Sequence, residues 1–253
     1  MVDRLWLGLF HLRIAFANGF RLRMPSSVKV RLRPDGQEVV ISEPGELTLL
    51  HDVLVHREYE YHGKPDVVFD LGANVGFATL YFKRQNPTAR IVAVEPDPRT
   101  YERLVRNVGR LPGVTTLNRA VTASDGVVSF FSSPSSLRSA LVRRSEGDQE
   151  IRVIGSTLRT LMDETGVEQI GLLKVDIEGA EFNLFRNAPL ERVDEIIAEI
   201  HYDLMEADES ALRELLADFE LRFEELPQPH RCLLFARRGS ARSTHSSCGS
   251  ALN

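Results

Sequence analysis

Cysteine is almost missing from this chain. Cys232 sits in a strand-like run and Cys248 in a polar tail, so neither a disulfide framework nor a cysteine metal site can be read, and a reducing, cytoplasmic setting is expected. Long apolar runs are missing too: nothing approaches the roughly 20 residues that a membrane-spanning helix needs. The apolar opening MVDRLWLGLFHLRIAFANGF is interrupted by Asp3, Arg4, His11 and Arg13, and no small-residue cleavage site follows it. There is no basic surplus. A net charge of -5 and a pI near 5.9 oppose broad nucleic-acid binding, which requires a positive footprint. Lysine is scarce, 4 against 27 arginines, a bias that points to genome composition more than to chemistry. Internal repeats are absent.

What is present is an ordinary globular composition, 43% hydrophobic and 26% charged, over 253 residues, enough for one large domain or two small ones. The expected division is an extension over 1–65 packed on the core, a main domain over 66–237, and a Ser- and Gly-rich tail over 238–253 that reads as disordered. Seven bases (Arg4, Arg13, Arg21, Arg23, Lys29, Arg31, Arg33) against Asp3 mark the first 34 residues. A basic amphipathic helix there could lie on an anionic membrane surface or pack its apolar face on the main domain.

VKVRLRPDGQEVVI alternates about a PDG turn and predicts a β-hairpin, and ELTLLHDVLVHREY predicts a helix. From Asp66 onward, short apolar runs alternate with helical stretches, the pattern of a parallel sheet. The predicted strands are 66–70, 90–95, 114–118, 170–175 and 195–200, followed by LRFEEL and RCLLFARR pairing antiparallel, seven in all. Helices are predicted around 77–86, 98–110, 179–188 and 208–219, with an inserted hairpin over 127–154.

VVFDLGANVGFATLYF is a strand, a glycine turn and a helix, a local shape that lets backbone N–H groups approach a ligand. A dinucleotide fingerprint would need glycine where Asn74 and Phe77 stand, which opposes a nicotinamide-dependent oxidoreductase. Asp70 ends the first strand and Glu95 the second. An acid at the second strand end can accept both hydrogen bonds of a ribose diol. The pair suits a nucleoside carrying positive charge and no phosphate, which describes S-adenosylmethionine.

The segments FDLGANVGFATLYF, VAVEPDPRTYERLVRNV, NRAVTASDGVVSFF and LLKVDIEGAEF resemble, in this order, the motifs of the FkbM family of S-adenosylmethionine-dependent methyltransferases, over about residues 35 to 237. The resemblance implies an α/β fold with a seven-stranded, mostly parallel sheet and O-methylation of a sugar or natural-product hydroxyl. It also implies that Asp70, Gly72, Asn74 and Gly76 line the methionine end of the cofactor, Glu95 the ribose, and Asn118 and Ala120 the adenine. Relatives carry Asp where this chain has Arg159, which leaves no acid for that position.

Methyl transfer from a sulfonium needs alignment and removal of the alcohol proton. In LLKVDIEGAEF a buried parallel strand should be continuously apolar, yet Lys174 interrupts it and, by alternation, shares a face with Asp176. Glu178 and Glu181 can be explained by the helix that follows, where acids offset the dipole. Glu199 and His201 share a face of the next strand. Asp176, His201, Lys174 and Glu178 are therefore the candidate catalytic residues, with Asp176 or His201 as base. No metal is assigned; the alternative is a divalent cation held by Asp176, Glu199 and His201. The expected partner is a small-molecule or glycosylated acceptor, whose pocket walls would include the loop from Ser132 to Arg144. A module that binds the cofactor without turnover is the remaining alternative.

Overall fold

A computed structural model describes residues 27–32, 34–133, 140–141, 145–205 and 207–239. The N-terminal basic segment, Cys248, the Ser- and Gly-rich tail and most of the Ser132–Arg144 loop lie outside the described residues.

The hairpin forms as β1 (Val28–Arg31) and β2 (Glu38–Ile41), with Val28 opposite Ile41. Helix α1 (Pro44–His51) starts at a proline, whose missing N–H costs nothing in a first turn, and the Glu46 carboxylate accepts the N–H groups of Ser42 and Glu43 at 2.7 and 3.4 Å. It continues as a π-helical turn, Asp52–His56, and stops at Arg57, whose φ of 55° reverses the chain.

The main sheet is built from β3 (Val67–Leu71), β4 (Arg90–Val94), β5 (Val114–Leu117), β9 (Ile170–Val175), β10 (Val193–His201), β11 (Phe219–Glu225) and β12 (Arg231–Arg238). Their order is β11-β12-β10-β9-β3-β4-β5. The five strands from β10 to β5 run parallel, and β12 inserts antiparallel between β10 and β11. This is the seven-stranded, mostly parallel α/β sheet that the sequence motifs lead one to expect.

Alternation along the strands sends side chains to two cores. Val68, Ile91, Ala93 and Leu172 meet Phe77 and Phe82 of α2 (Phe77–Gln85), Leu104 of α3 (Pro98–Val108), and Val39, Ile41 and Leu50 of the N-terminal hairpin and α1. Phe69, Val92, Leu173 and Ile196 meet α4 (Leu158–Thr165), α5 (Glu181–Asn187) and α6 (Glu209–Leu215). The extension thus contributes to the same core as the sheet.

The inserted hairpin is β7 (Gly126–Ser132) and β8 (Gln149–Ser156), and a two-residue strand, β6 (Ala120–Val121), pairs with β8 to make a separate three-stranded sheet. Helix 208–219 is shorter than its apolar pattern: it ends at Leu215, and Phe219 already belongs to β11. Leu212, Leu216 and Phe219 are all buried, a spacing that a continuing helix would satisfy equally. Among the described residues no helix is long and apolar enough to cross a membrane.

Candidate active site

The carboxyl ends of β4, β3, β9 and β10 open into one cavity of about 450 Å³. Its walls include Gly72, Asn74, Glu95 and Ala120 toward the β4 side, and Lys174, Asp176, Glu178 and Glu199 toward β9 and β10. Ligands of open parallel sheets bind at this edge.

The turn after β3 can only be made with glycine at its first position. Gly72 has φ +74°, and a Cβ there would lie 1.8 Å from the carbonyl oxygen of Asp176. Asn74 also takes a positive φ, 49°, and Gly76, φ 93°, precedes α2. Glu95 follows β4, and its carboxylate accepts the N–H of Asn74 at 3.0 Å and that of Asp97 at 2.9 Å. Burial pushes its pKa up to about 8, against the pull of the Asp97 N–H. A buried carboxylate on the wall, beside a turn with no room for a side chain, fits a ligand that presents hydroxyl donors.

Asp70 and Asn118 do not reach this wall. Asp70 is fully buried, accepting the Thr79 hydroxyl at 2.6 Å and facing the Lys174 ammonium at 3.2 Å. Asn118 donates to the carbonyls of Glu95 and Pro96 at 2.8 and 2.9 Å, clamping the bend after β4. Both support the pocket from beneath, and neither Asp70, Asn118 nor Gly76 lines it.

Lys174 sits opposite Asp70 in the β3–β9 register, 2% exposed, donating to the Gly72 carbonyl at 2.9 Å and lying 3.9 Å from Asp176. Burial pulls its pKa down, but Asp70 and Asp176 outweigh it and hold the ammonium above its ordinary value. A lone buried ammonium would be expensive; paired with two carboxylates and a carbonyl it stays charged. Asp176 has one buried carboxylate oxygen with no hydrogen-bond partner. Burial and then Glu199 hold its carboxyl well above the usual range.

His201 departs from the expectation that it opens on the pocket rim. It is 0% exposed, with Nδ1 3.0 Å from Glu181, and Nε2 3.3 Å from Glu178 and 3.4 Å from Glu199. Burial alone would lower its pKa, but the Glu181 hydrogen bond and the adjoining Glu199 carboxylate overcome this and push it up to about 11. An imidazole that already holds its proton at neutral pH cannot take another. Glu178, the second acid past the strand, occupies left-handed backbone at φ 54°, which aims its carboxylate at His201 instead of leaving it on a solvated helix start. Glu199 is held below its ordinary value: burial opposes ionisation, but His201 and Arg231 favour it more strongly.

Sequence reasoning missed several neighbours. Glu58 and Arg231 line the cavity, and burial followed by the Glu199 charge pushes Glu58 up to about 7. Arg231 could have been found, because antiparallel pairing of the last strands sets it opposite His201. For Glu58, contributed by the loop after α1, the sequence carries no comparable signal. Arg159, where the family resemblance leads one to expect an acid, is exposed on α4.

The sequence matches the profile of the Methyltransferase FkbM domain over residues 70–225, well over half of the chain. The chain belongs to the FkbM methyltransferase family. Similar sequences include "Hexuronic acid methyltransferase AglP" of Haloferax volcanii, 30% identical over 162 residues covering 63% of this chain and 64% of that protein. Another is "31-O-demethyl-FK506 methyltransferase FkbM" of Streptomyces tacrolimicus, 27% identical, covering 70% of this chain and 84% of that one. The chain thus spans just under two thirds of the first relative's length. Among solved structures, methyltransferase FkbM from Methylobacillus flagellatus aligns at 14% identity and a TM-score of 0.49, over 74% of this chain and 47% of that one.

Proposed function

We propose that this FkbM-family chain is an S-adenosylmethionine-dependent O-methyltransferase acting on a hydroxyl of a sugar or natural-product acceptor. The observation that carries the reading is the packing of Gly72 on the Asp176 carbonyl: the backbone turn suited to the cofactor touches the residue suited to the hydroxyl. S-adenosylmethionine, when bound, supplies an activated methyl group. The chain would hold it with the Gly72–Asn74 backbone, the Glu95 carboxylate at the ribose and Ala120 beside the adenine, Asp70 acting only through Lys174.

At the other end, Asp176 would receive the acceptor hydroxyl on its unpartnered oxygen and take the proton as general base. The Lys174 ammonium, 3.9 Å from Asp176, would steady the negative charge that develops on the acceptor oxygen as its proton leaves. Relatives named for methylation of a hexuronic acid and of a natural product support the choice of acceptor class. Calorimetry tests the cofactor: S-adenosylhomocysteine should bind and NADH should not. A mass-spectrometric screen of sugars and hydroxylated natural products should find a gain of one methyl; binding without any methylated product would favour a non-catalytic module.

A further inference from the structure

The charged floor of the cavity is out of balance. Among the described residues, Asp70, Asp176, Glu178, Glu181 and Glu199 meet within it, with Lys174 and Arg231 as fixed cations beside them. Carboxylates at this density are stable only when protons or a further cation offset them. Two of the acids, with His201, also have the spacing of a metal site: Asp176, Glu199 and His201 each offer one ligand atom, all within 4.8 Å of one another. Ligands bonded to one ion at about 2.1–2.3 Å stand up to about 4.5 Å apart, so a contraction of a few tenths of an ångström would close the set.

His201 supplies an independent reason. Its ring is completely buried, and Nε2 has no hydrogen-bond partner; Glu178 and Glu199 approach it at 3.3 and 3.4 Å without hydrogen-bond geometry. The opposite nitrogen, Nδ1, is held by Glu181 at 3.0 Å. A carboxylate on one ring nitrogen, with the other aimed into a group of acids, is how proteins orient a histidine toward a metal ion. A histidine retained only as a charged partner would direct both N–H groups at acceptors.

We propose that Asp176, Glu199 and His201 bind one divalent cation of the Mn²⁺ or Mg²⁺ class, oriented through Glu181, which receives the acceptor hydroxyl at the cavity floor. One imidazole and two carboxylates favour Mn²⁺ of the two. Resting on the methyltransferase reading, this adds to it that the ion and Asp176 act on the same hydroxyl. The ion lowers the hydroxyl pKa. Asp176 gives one oxygen to the ion and keeps the other for the departing proton.

The full chain, stripped with EDTA, is titrated with Mn²⁺ alone and followed by the loss of the free-ion electron paramagnetic resonance signal. One ion per chain is expected, with affinity reduced roughly tenfold or more in Glu199→Gln. S-adenosylhomocysteine affinity in that variant should stay at the wild-type level, which reports an intact fold. His56→Ala, in the more exposed group of His51, Asp52 and His56, should leave Mn²⁺ binding unchanged. Absence of saturable Mn²⁺ binding in protein that binds S-adenosylhomocysteine overturns the site. So does Mn²⁺ affinity that is insensitive to Glu199→Gln or lost in His56→Ala. Mn²⁺ binding without S-adenosylhomocysteine binding would instead sink the methyltransferase reading and leave the metal site standing.

Discussion

Glu95 is caught between two demands. The Asn74 and Asp97 N–H groups favour its charge, burial disfavours it more, and the pKa of about 8 records the outcome. Ribose hydroxyls would add donors and favour the ionised form. Glu95→Gln should therefore weaken S-adenosylhomocysteine binding roughly tenfold, the loss of about 1.4 kcal/mol from a charge-assisted hydrogen bond. Calorimetry showing unchanged affinity would remove Glu95 from the cofactor site. At the floor, Asp176→Asn keeps the shape and loses the base, so kcat should fall by roughly 10² or more while S-adenosylhomocysteine affinity changes little. The importance of this floor was legible from Lys174 and Asp176, because charge inside a central parallel strand has no local use. The burial of His201 was not legible. Alternation assigns it a face, but the left-handed turn at Glu178 and the approach of Glu181 are what bury it beneath the cavity floor.

At the level of elements, the β3–α2 turn and strand β9 are locked by contact of backbone with backbone. Gly72→Ala forces a left-handed conformation on alanine and drives its Cβ into the Asp176 carbonyl, a cost of about 3 kcal/mol or more. The expected result is a large drop in Tm or insoluble protein; a soluble variant of unchanged Tm would contradict this packing. A second joint ties α1 to α3 through Arg103, which pairs with Glu43 at 3.1 Å and with the buried Glu46. Arg103→Ala leaves Glu46 buried with less compensation and should cost about 3 kcal/mol. Faster hydrogen exchange over 44–51 would locate that loss. The central strands β3, β4 and β9 were readable because both of their faces are covered and, apart from Asp70, Arg90 and Lys174, they carry no charge. The two-residue β6 and the eight-residue α4 were not, since neither is long enough to impose a period, and the N-cap hydroxyl of Thr157 on the Thr160 N–H is a weak signal by itself.

For the whole molecule, the buried acids set a direction for stability with pH. Glu95 and Glu58 have pKa values of about 8 and about 7 in the folded chain, against 4.5 as their ordinary value, so the folded state binds more protons than the unfolded one in between. Stability then falls as pH rises through that window. His201 acts in the same direction: its contribution is complete below about 6.5 and is lost toward about 11. Glu199, held low, loses its contribution only as pH falls below the ordinary carboxylate value. Ligand-free protein should therefore show its highest Tm near pH 5 and a lower one at pH 8.5. Scanning fluorimetry giving the reverse order would mean that these groups are solvated.

The cavity is assembled from two kinds of part. Gly72, Glu95, Lys174 and Asp176 belong to the sheet edge, whereas Asp52 and Glu58 come from the N-terminal extension, Phe130 and Leu141 from the insertion and Gln228 from the β11–β12 connection. Such a construction divides inheritance between a fixed bench and exchangeable fittings. A lineage can trade the fittings for a new acceptor without re-solving the buried charge problem beneath them, and a chimera carrying another relative's extension and insertion is the laboratory form of the same exchange.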